Sequence, residues 1–270
     1  LYELLFASVA TTLIEFAASP RHLGGAPAFS LVLHTWTQDL RRHAHIHALV
    51  AGGALSAGGQ WLGPKKGFLF PVRALSRVFR GKFVAGLAQW AGSERWPAGC
   101  DWPSLKRRLH EHDWVVFAKE PIGGPEAVLD YLGRYTHRVA ISNERIVGID
   151  GEQVALRVRA NADGGRKRTL RLPGVEFIGR FLLHVLPKGF KRIRHYGLLS
   201  PARKRSGLAA ARAALDVSAP PSATVESVAD FLRRVARIEL SCCPDCGRGV
   251  MRVVAILPPV PHRLHPRGPP

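Results

Sequence analysis

Two short runs hold residues whose types and spacing could do chemistry. The first reads His43-Ala44-His45-Ile46-His47. Side chains on a β-strand alternate between faces, so His45 and His47 point the same way. Two neutral imidazoles side by side can grip one divalent cation through their ring nitrogens. His43 joins that face if the strand begins early enough. His34 and Gln38, upstream, are candidates for a third ligand, while Ile46 points to a core. The alternative is a histidine-rich surface strand without metal, because basic neighbours disfavour a cation unless substrate phosphates assist.

The second run is Leu129-Asp130-Tyr131-Leu132-Gly133-Arg134-Tyr135-Thr136-His137-Arg138. On a helix Tyr131 and Tyr135 stack their hydroxyls on one face, about one turn apart. Leu129 and Leu132 supply a buried stripe. Arg134 and Arg138, also four apart, can clamp a phosphate. A phenol with a pKa of about 10 is a weak nucleophile. It attacks a phosphodiester only if a metal polarises the phosphate and a basic pocket stabilises the phenolate. The alternative is that both tyrosines merely pack.

A third cluster lies late in the chain, Cys242-Cys243-Pro244-Asp245-Cys246. Cys243 and Cys246 form one knuckle of a zinc site, which needs two further ligands. Cys242 or the pair His262 and His265 are candidates; the alternative is free thiols. Four cysteines in 270 residues make no disulfide scaffold and suggest a reducing cytosol.

The elements that must carry these groups are legible in outline. Residues 1–19 have helical spacing and stop at Pro20. Residues 28–36 and 45–51 read as strands, the second closed by Gly52-Gly53, with a turn at Gly58-Gly59. A helix starts at Pro71 and another spans 103–112. Residues 114–119, WVVFAK, read as a strand and 125–137 as the tyrosine helix. VAISN, RIVGID, QVALRVRA and KRTLRLP then form an antiparallel meander. A helix over 174–185 and a basic strand near 190–196 complete the core. Past 201 the chain is Ala-, Arg- and Pro-rich, with one helix over 223–238 and a disordered end. Interleaved helices and antiparallel strands make the class α+β.

Charge narrows the partner. Lys and Arg number 39 against 20 Asp and Glu, a net charge of +19. A polyanion, above all nucleic acid, accounts for that surplus better than a small neutral metabolite does. Residues 40–93 and 177–215 contain no acid at all. Lys65, Lys66, Lys191, Arg192 and Arg194 fall in those stretches and are candidate phosphate contacts. An apolar content of 46% excludes a chain disordered throughout. No apolar run reaches the roughly 18 residues of a membrane span.

Together these motifs resemble the two-tyrosine transposases of rolling-circle insertion sequences, a branch of the HUH single-strand endonucleases. The resemblance rests on LHTWTQDLRRHAHIHALVAGGALS (33–56), FPVRALSRVFRGKF (70–83), FAKEPIGGPEAVLDYLGRYTHRVAISN (117–143) and FLLHVLPKGFKRIRHYGLLS (181–200). It implies a ferredoxin-like α+β core with an antiparallel central sheet. It implies that His45 and His47 bind Mg²⁺ or Mn²⁺ and that Tyr131 and Tyr135 attack single-stranded DNA. Each attack leaves a 5′-phosphotyrosine and a free 3′-OH. Lys119 or Arg134 would assist with charge. The implied layout is an N-terminal helix and linker over 1–27, a catalytic domain over 28–200, and a mostly irregular basic tail over 201–270 with its zinc knuckle. Residues 1–27 read as the remnant of a longer N-terminal region, because such chains carry a Cys-rich module ahead of the core. The expected setting is the bacterial cytoplasm, at the nucleoid. The competing readings are a decayed, non-catalytic nucleic-acid-binding remnant and a replication initiator or relaxase of the same superfamily.

Overall fold

The computed structural model describes residues 1–255 except 66, 95, 137–139, 161–165, 221–225, 237–238, 244 and 253; the side chains of 125, 130, 134–136, 160 and 236 also lie outside the description. The chain forms two compact units, Leu1–Ala219 and Pro220–Pro270.

At the centre of the first unit is an antiparallel hairpin of β1 (Ala26–Trp36) and β2 (Arg42–Leu55). Every residue of β1 from 27 to 35 is buried. That matches its near-continuous apolar run and a strand covered on both faces. β3 (Trp61–Leu62) extends the sheet beside β2, and β7 (Ile193–Gly197) beside β1. All pairs are antiparallel, and the order is β3-β2-β1-β7.

The period of two divides β1 between two environments. Phe29, Leu31 and Leu33 join Phe6, Leu13 and Leu23 in a core covered by α1 (Tyr2–Ala18) and α2 (Val72–Ala88). Burying each such side chain stabilises the fold by about 1.5–3 kcal/mol. Ser30, Val32 and His34 face the other way. Ile46 and Val50 of β2 pack against the same core, so the intervening His45 and His47 project on the face opposite α1.

A second core lies under a meander of β4 (Ile146–Asp150), β5 (Gln153–Ala160) and β6 (Arg166–Pro173). Val154, Leu156, Val158 and Leu172 fill it, joined by Leu40 from the turn of the β1–β2 hairpin. Phe181 lies beside this core, just inside the end of α5 (Gly174–Leu182). Helices α3 (Trp102–Glu111) and α4 (Gly124–Thr136) come before the meander.

The α+β class and antiparallel central sheet agree with expectation, but four local readings change. WVVFAK is not a strand. Residues 113–123 run without regular structure, because α2 side chains take up carbonyls at its start. The Ser76 hydroxyl donates to Trp114 O at 2.6 Å and Arg80 to His112 O at 2.9 Å. Of VAISN, residues 140–143 form no strand either, and Val139 lies outside the described residues. Ala140 sits at φ 54° and a 3-10 turn follows at Asn143–Arg145. The Arg145 guanidinium donates to the carbonyls of Gln38, Ala140 and Arg157, holding this turn against the hairpin and β5.

Gly52-Gly53 does not end β2, which continues to Leu55. Gly53 serves a close approach: a Cβ there would stand 2.5 Å from Trp61 Nε1 and 2.7 Å from Leu62 O. Past 201 the chain first forms α6 (Lys204–Ala214), an alanine-rich helix that the reading as a tail overlooked. Gly207 lets it close onto Leu198, and Ala211 joins Ala28 and Leu198 in a third small core.

The second unit, by itself, holds α7 (Val228–Ala236) and a small turn closed by a bridge between Cys242 and Val250. The Pro-rich end, expected to be disordered, lies outside the described residues.

Candidate metal and tyrosine site

The hairpin brings three imidazoles together. His34 pairs directly across from His45, and Val32 from His47, so all four side chains share a face. One ring nitrogen from each of His34, His45 and His47 lies within 4.8 Å of the others, the sole such cluster of metal-binding side chains among the described residues. Of the two residues proposed as third ligand, His34 therefore joins the pair. Gln38 is exposed in the turn after β1, where its carbonyl accepts from Arg145.

That turn is firmly held. Thr37 Oγ1 donates to Asp39 Oδ1 at 2.5 Å, and Arg180 donates to Asp39 O at 2.9 Å. His184, itself buried, bonds Leu40 O at 3.0 Å and Thr35 Oγ1 at 3.2 Å. Trp36 stacks on His34 with ring centroids 4.7 Å apart, and the Arg192 guanidinium lies over the indole, 5.9 Å from its centroid. Trp36, Arg180 and His184 had no local signal in the sequence. Their roles arise from partners distant along the chain.

Hydrogen bonding sets the tautomers. His45 Nδ1 lies 3.0 Å from His43 O, which only accepts, so Nδ1 carries the proton and Nε2 presents a lone pair. That Nε2 is 3.1 Å from His47 Nε2. Two nitrogens on adjacent octahedral positions of one ion stand about 3 Å apart for bonds of about 2.1 Å. Burial holds His45 below its ordinary pKa. His47 is lowered to about 4, first by burial and then by the His45 and Lys119 charges. Both rings are therefore neutral at pH 7, the state in which imidazole binds metal. The donor set fits a divalent cation.

Helix α4 brings Tyr131 to this cluster. Its hydroxyl lies 3.1 Å from His47 Nδ1. Leu129, expected in the buried stripe of that helix, is instead exposed, while Leu132 is half-buried. The side chains of Tyr135 and Arg134, and all of Arg138 and Lys66, lie outside the described residues. Lys119 is exposed and close enough for its charge to be felt at His47.

The remaining basic residues behave differently from one another. Lys65 donates to Pro20 O at 2.6 Å, and exposed Lys191 accepts at its carbonyl from Arg194. Arg194 makes two bonds to Glu3, each 2.5 Å, and lies 4.1 Å over the Phe6 ring. Its charge is matched within the fold, which ties β7 to α1.

In the second unit the Cys243-to-Cys246 turn is well formed. Cys243 N–H donates to Gly249 O at 2.8 Å and Gly247 N–H to Cys243 O at 2.9 Å. Gly249 N–H donates to Cys246 Sγ at 3.3 Å. Backbone donors from Arg248 and Gly249 lower the Cys246 thiol pKa. Cys242 turns its thiol to Gly247 O at 3.1 Å.

A protein-family profile described as "Putative transposase" matches residues 28–206. The chain is 42% identical over 268 residues to "Putative transposase y4qJ" of Sinorhizobium fredii, covering 94% of this chain and 67% of that protein. It is 23% identical over 264 residues to the "Transposase for insertion sequence element IS801" of Pseudomonas savastanoi pv. phaseolicola, covering 95% of this chain and 63% of that one. The chain thus spans about two thirds of the length of these curated relatives. No solved structure matches it. The match over residues 28–206 and the 42% identity define the class, a transposase. The chain belongs to the two-tyrosine insertion-sequence transposase family. Binding to DNA follows from that membership. Among the described residues no helix is long and apolar enough to cross a membrane.

Proposed function

We propose that this chain nicks and rejoins single-stranded DNA through a 5′-phosphotyrosine link during rolling-circle transposition. The observation that carries the reading is the contact between the Tyr131 hydroxyl and a histidine of the three-imidazole cluster. Residues 28–200 would be the catalytic region, with α1 and α6 completing its cores from either side.

In this reading Tyr131 is a nucleophile and Tyr135 a second one, for another cleavage or the joining step. His34, His45 and His47 would hold a divalent cation, which supplies charge to polarise the scissile phosphate. Mn²⁺ suits an all-imidazole set better than Mg²⁺, which prefers oxygen ligands. With both Nε2 lone pairs engaged, His47 keeps its proton on Nδ1 and donates it toward the Tyr131 oxygen. That hydrogen bond favours the phenolate over the phenol. Lys119, whose charge is felt at His47, adds to the positive field of the site. Tyr131 Oη, its proton given up to solvent water, then bonds to phosphorus as the bond to the 3′ oxygen breaks, and the 3′ oxygen leaves and takes a proton from water. The phosphodiester is exchanged rather than hydrolysed, so rejoining needs no ATP.

Arg134, Arg138, Lys66, Lys191 and Arg192 are proposed phosphate contacts. Lys65 and Arg194, already engaged with Pro20 and Glu3, would contribute less. Cys243 and Cys246 are proposed as two ligands of a Zn²⁺ site. The protein would work in the cytoplasm, on DNA at the nucleoid.

The experiment is incubation with a 3′-labelled single-stranded oligonucleotide carrying the element's end, with and without Mn²⁺. A denaturation-resistant protein–DNA adduct that requires the ion is expected. Salt-sensitive binding without an adduct would leave only the non-catalytic reading.

A further inference from the structure

Between α3 and α4 the chain leaves an exposed aromatic close to the site. Over residues 113–117 exposure alternates residue by residue. Trp114 packs edge-on against Phe79 and Phe83, and Val116 packs against the first core. The intervening Val115 and Phe117 are 93% and 79% exposed. A phenylalanine left in water forgoes the transfer free energy of its ring, and its neighbours here are too well anchored for it to be a fraying end. Ser76 and Arg80 fix the backbone at Trp114 and His112.

Two residues past Phe117 comes Lys119, whose charge reaches His47. Two residues of extended chain cover about 7 Å, so the ring lies roughly one nucleotide step along the chain from Lys119. Of the flanking acids, Asp113 is ion-paired to Arg80. An exposed flat apolar ring next to a cation is the pairing that unpaired nucleotides recognise, the ring stacking on a base and the ammonium meeting its phosphate.

We infer that Val115, Phe117 and Lys119 form a track for single-stranded DNA, in which Phe117 stacks on an unpaired base of the strand whose phosphate Lys119 meets. The inference rests on the nicking reading and names the residue that holds the strand in place. Phe117 is a positioning residue; it touches a base, not the reacting phosphorus.

The test compares two probes with equal numbers of phosphates, a 12-nucleotide oligo-dT and a 12-nucleotide abasic strand, by fluorescence anisotropy at fixed salt. The wild type prefers the strand with bases. Phe117→Ala reduces that preference roughly tenfold, in the range set by loss of one base–aromatic stack. Phe117→Trp keeps it, and Lys119→Ala weakens both probes alike. If Phe117→Ala retains the preference, or loses both probes equally, the stacking role is overturned. Wild-type adduct formation is read separately, so failure of the nicking reading is distinguishable from failure of this one.

Discussion

The Tyr131 hydroxyl and the His47 Nδ1 stand 3.1 Å apart, although 84 residues separate them in the chain. This contact links the imidazole cluster to the tyrosine helix. It puts the phenol oxygen against a ring whose other nitrogen faces His45.

Tyr131→Phe keeps the ring and removes only the oxygen. We expect adduct formation on a single-stranded oligonucleotide to fall on the order of a thousandfold, with oligonucleotide affinity changed by about twofold at most. Quantified adduct bands and an anisotropy titration check the two halves. An undiminished adduct would move the attack to Tyr135.

His45→Ala removes the imidazole whose Nε2 lone pair faces His47. Mn²⁺ affinity by calorimetry should drop by about tenfold or more. His34→Ala should give a comparable loss, because its ring nitrogen completes the cluster. An unchanged titration in both variants would remove the metal from this site.

Gly197 has a φ of 62°, and a Cβ there would sit 1.8 Å from the Pro27 carbonyl oxygen. Backbone meets backbone, so no side chain can swing away. Gly197→Ala should cost about 3 kcal/mol or more and separate β7 from β1. Thermal unfolding, or failure to recover soluble protein, reads the effect.

Ser76→Ala leaves the Trp114 carbonyl without its donor. The expected loss is about 1 kcal/mol. Hydrogen exchange should rise over residues 113–119 more than over β1, because those residues lack a ladder of their own.

Hydrogen bonds from Arg194 hold the Glu3 carboxyl below its ordinary value of 4.5. The sign follows from the folded state binding its proton less readily than the unfolded state. The contribution is fully present above pH 4.5 and fades as pH falls through the lower folded value. Glu3→Gln should therefore lower the melting temperature slightly at about pH 7 and much less at about pH 3. An equal difference at both values would assign the effect to packing.

The amino-acid pattern by itself determined a good deal. Alternation placed His45 and His47 on one face and Ile46 on the other, because the side-chain period of a strand is two whatever surrounds it. The positions of α1, α2 and the tyrosine helix followed from apolar spacing, and the charge surplus pointed to a polyanion. Tertiary structure alone decided which candidate became the third imidazole. His34 reaches His45 through the β1–β2 register, while Gln38 falls in the turn. WVVFAK shows the same limit: its residues suit a strand, but a ladder needs a partner with open backbone groups, and Ser76 and Arg80 take up carbonyls at its start. Arg194 looked like any other cation until Glu3, from the opposite end of the unit, was found bonded to it. Local periodicity is written in neighbouring residues, whereas register, pairing and exposure depend on groups that meet only after the chain has closed on itself.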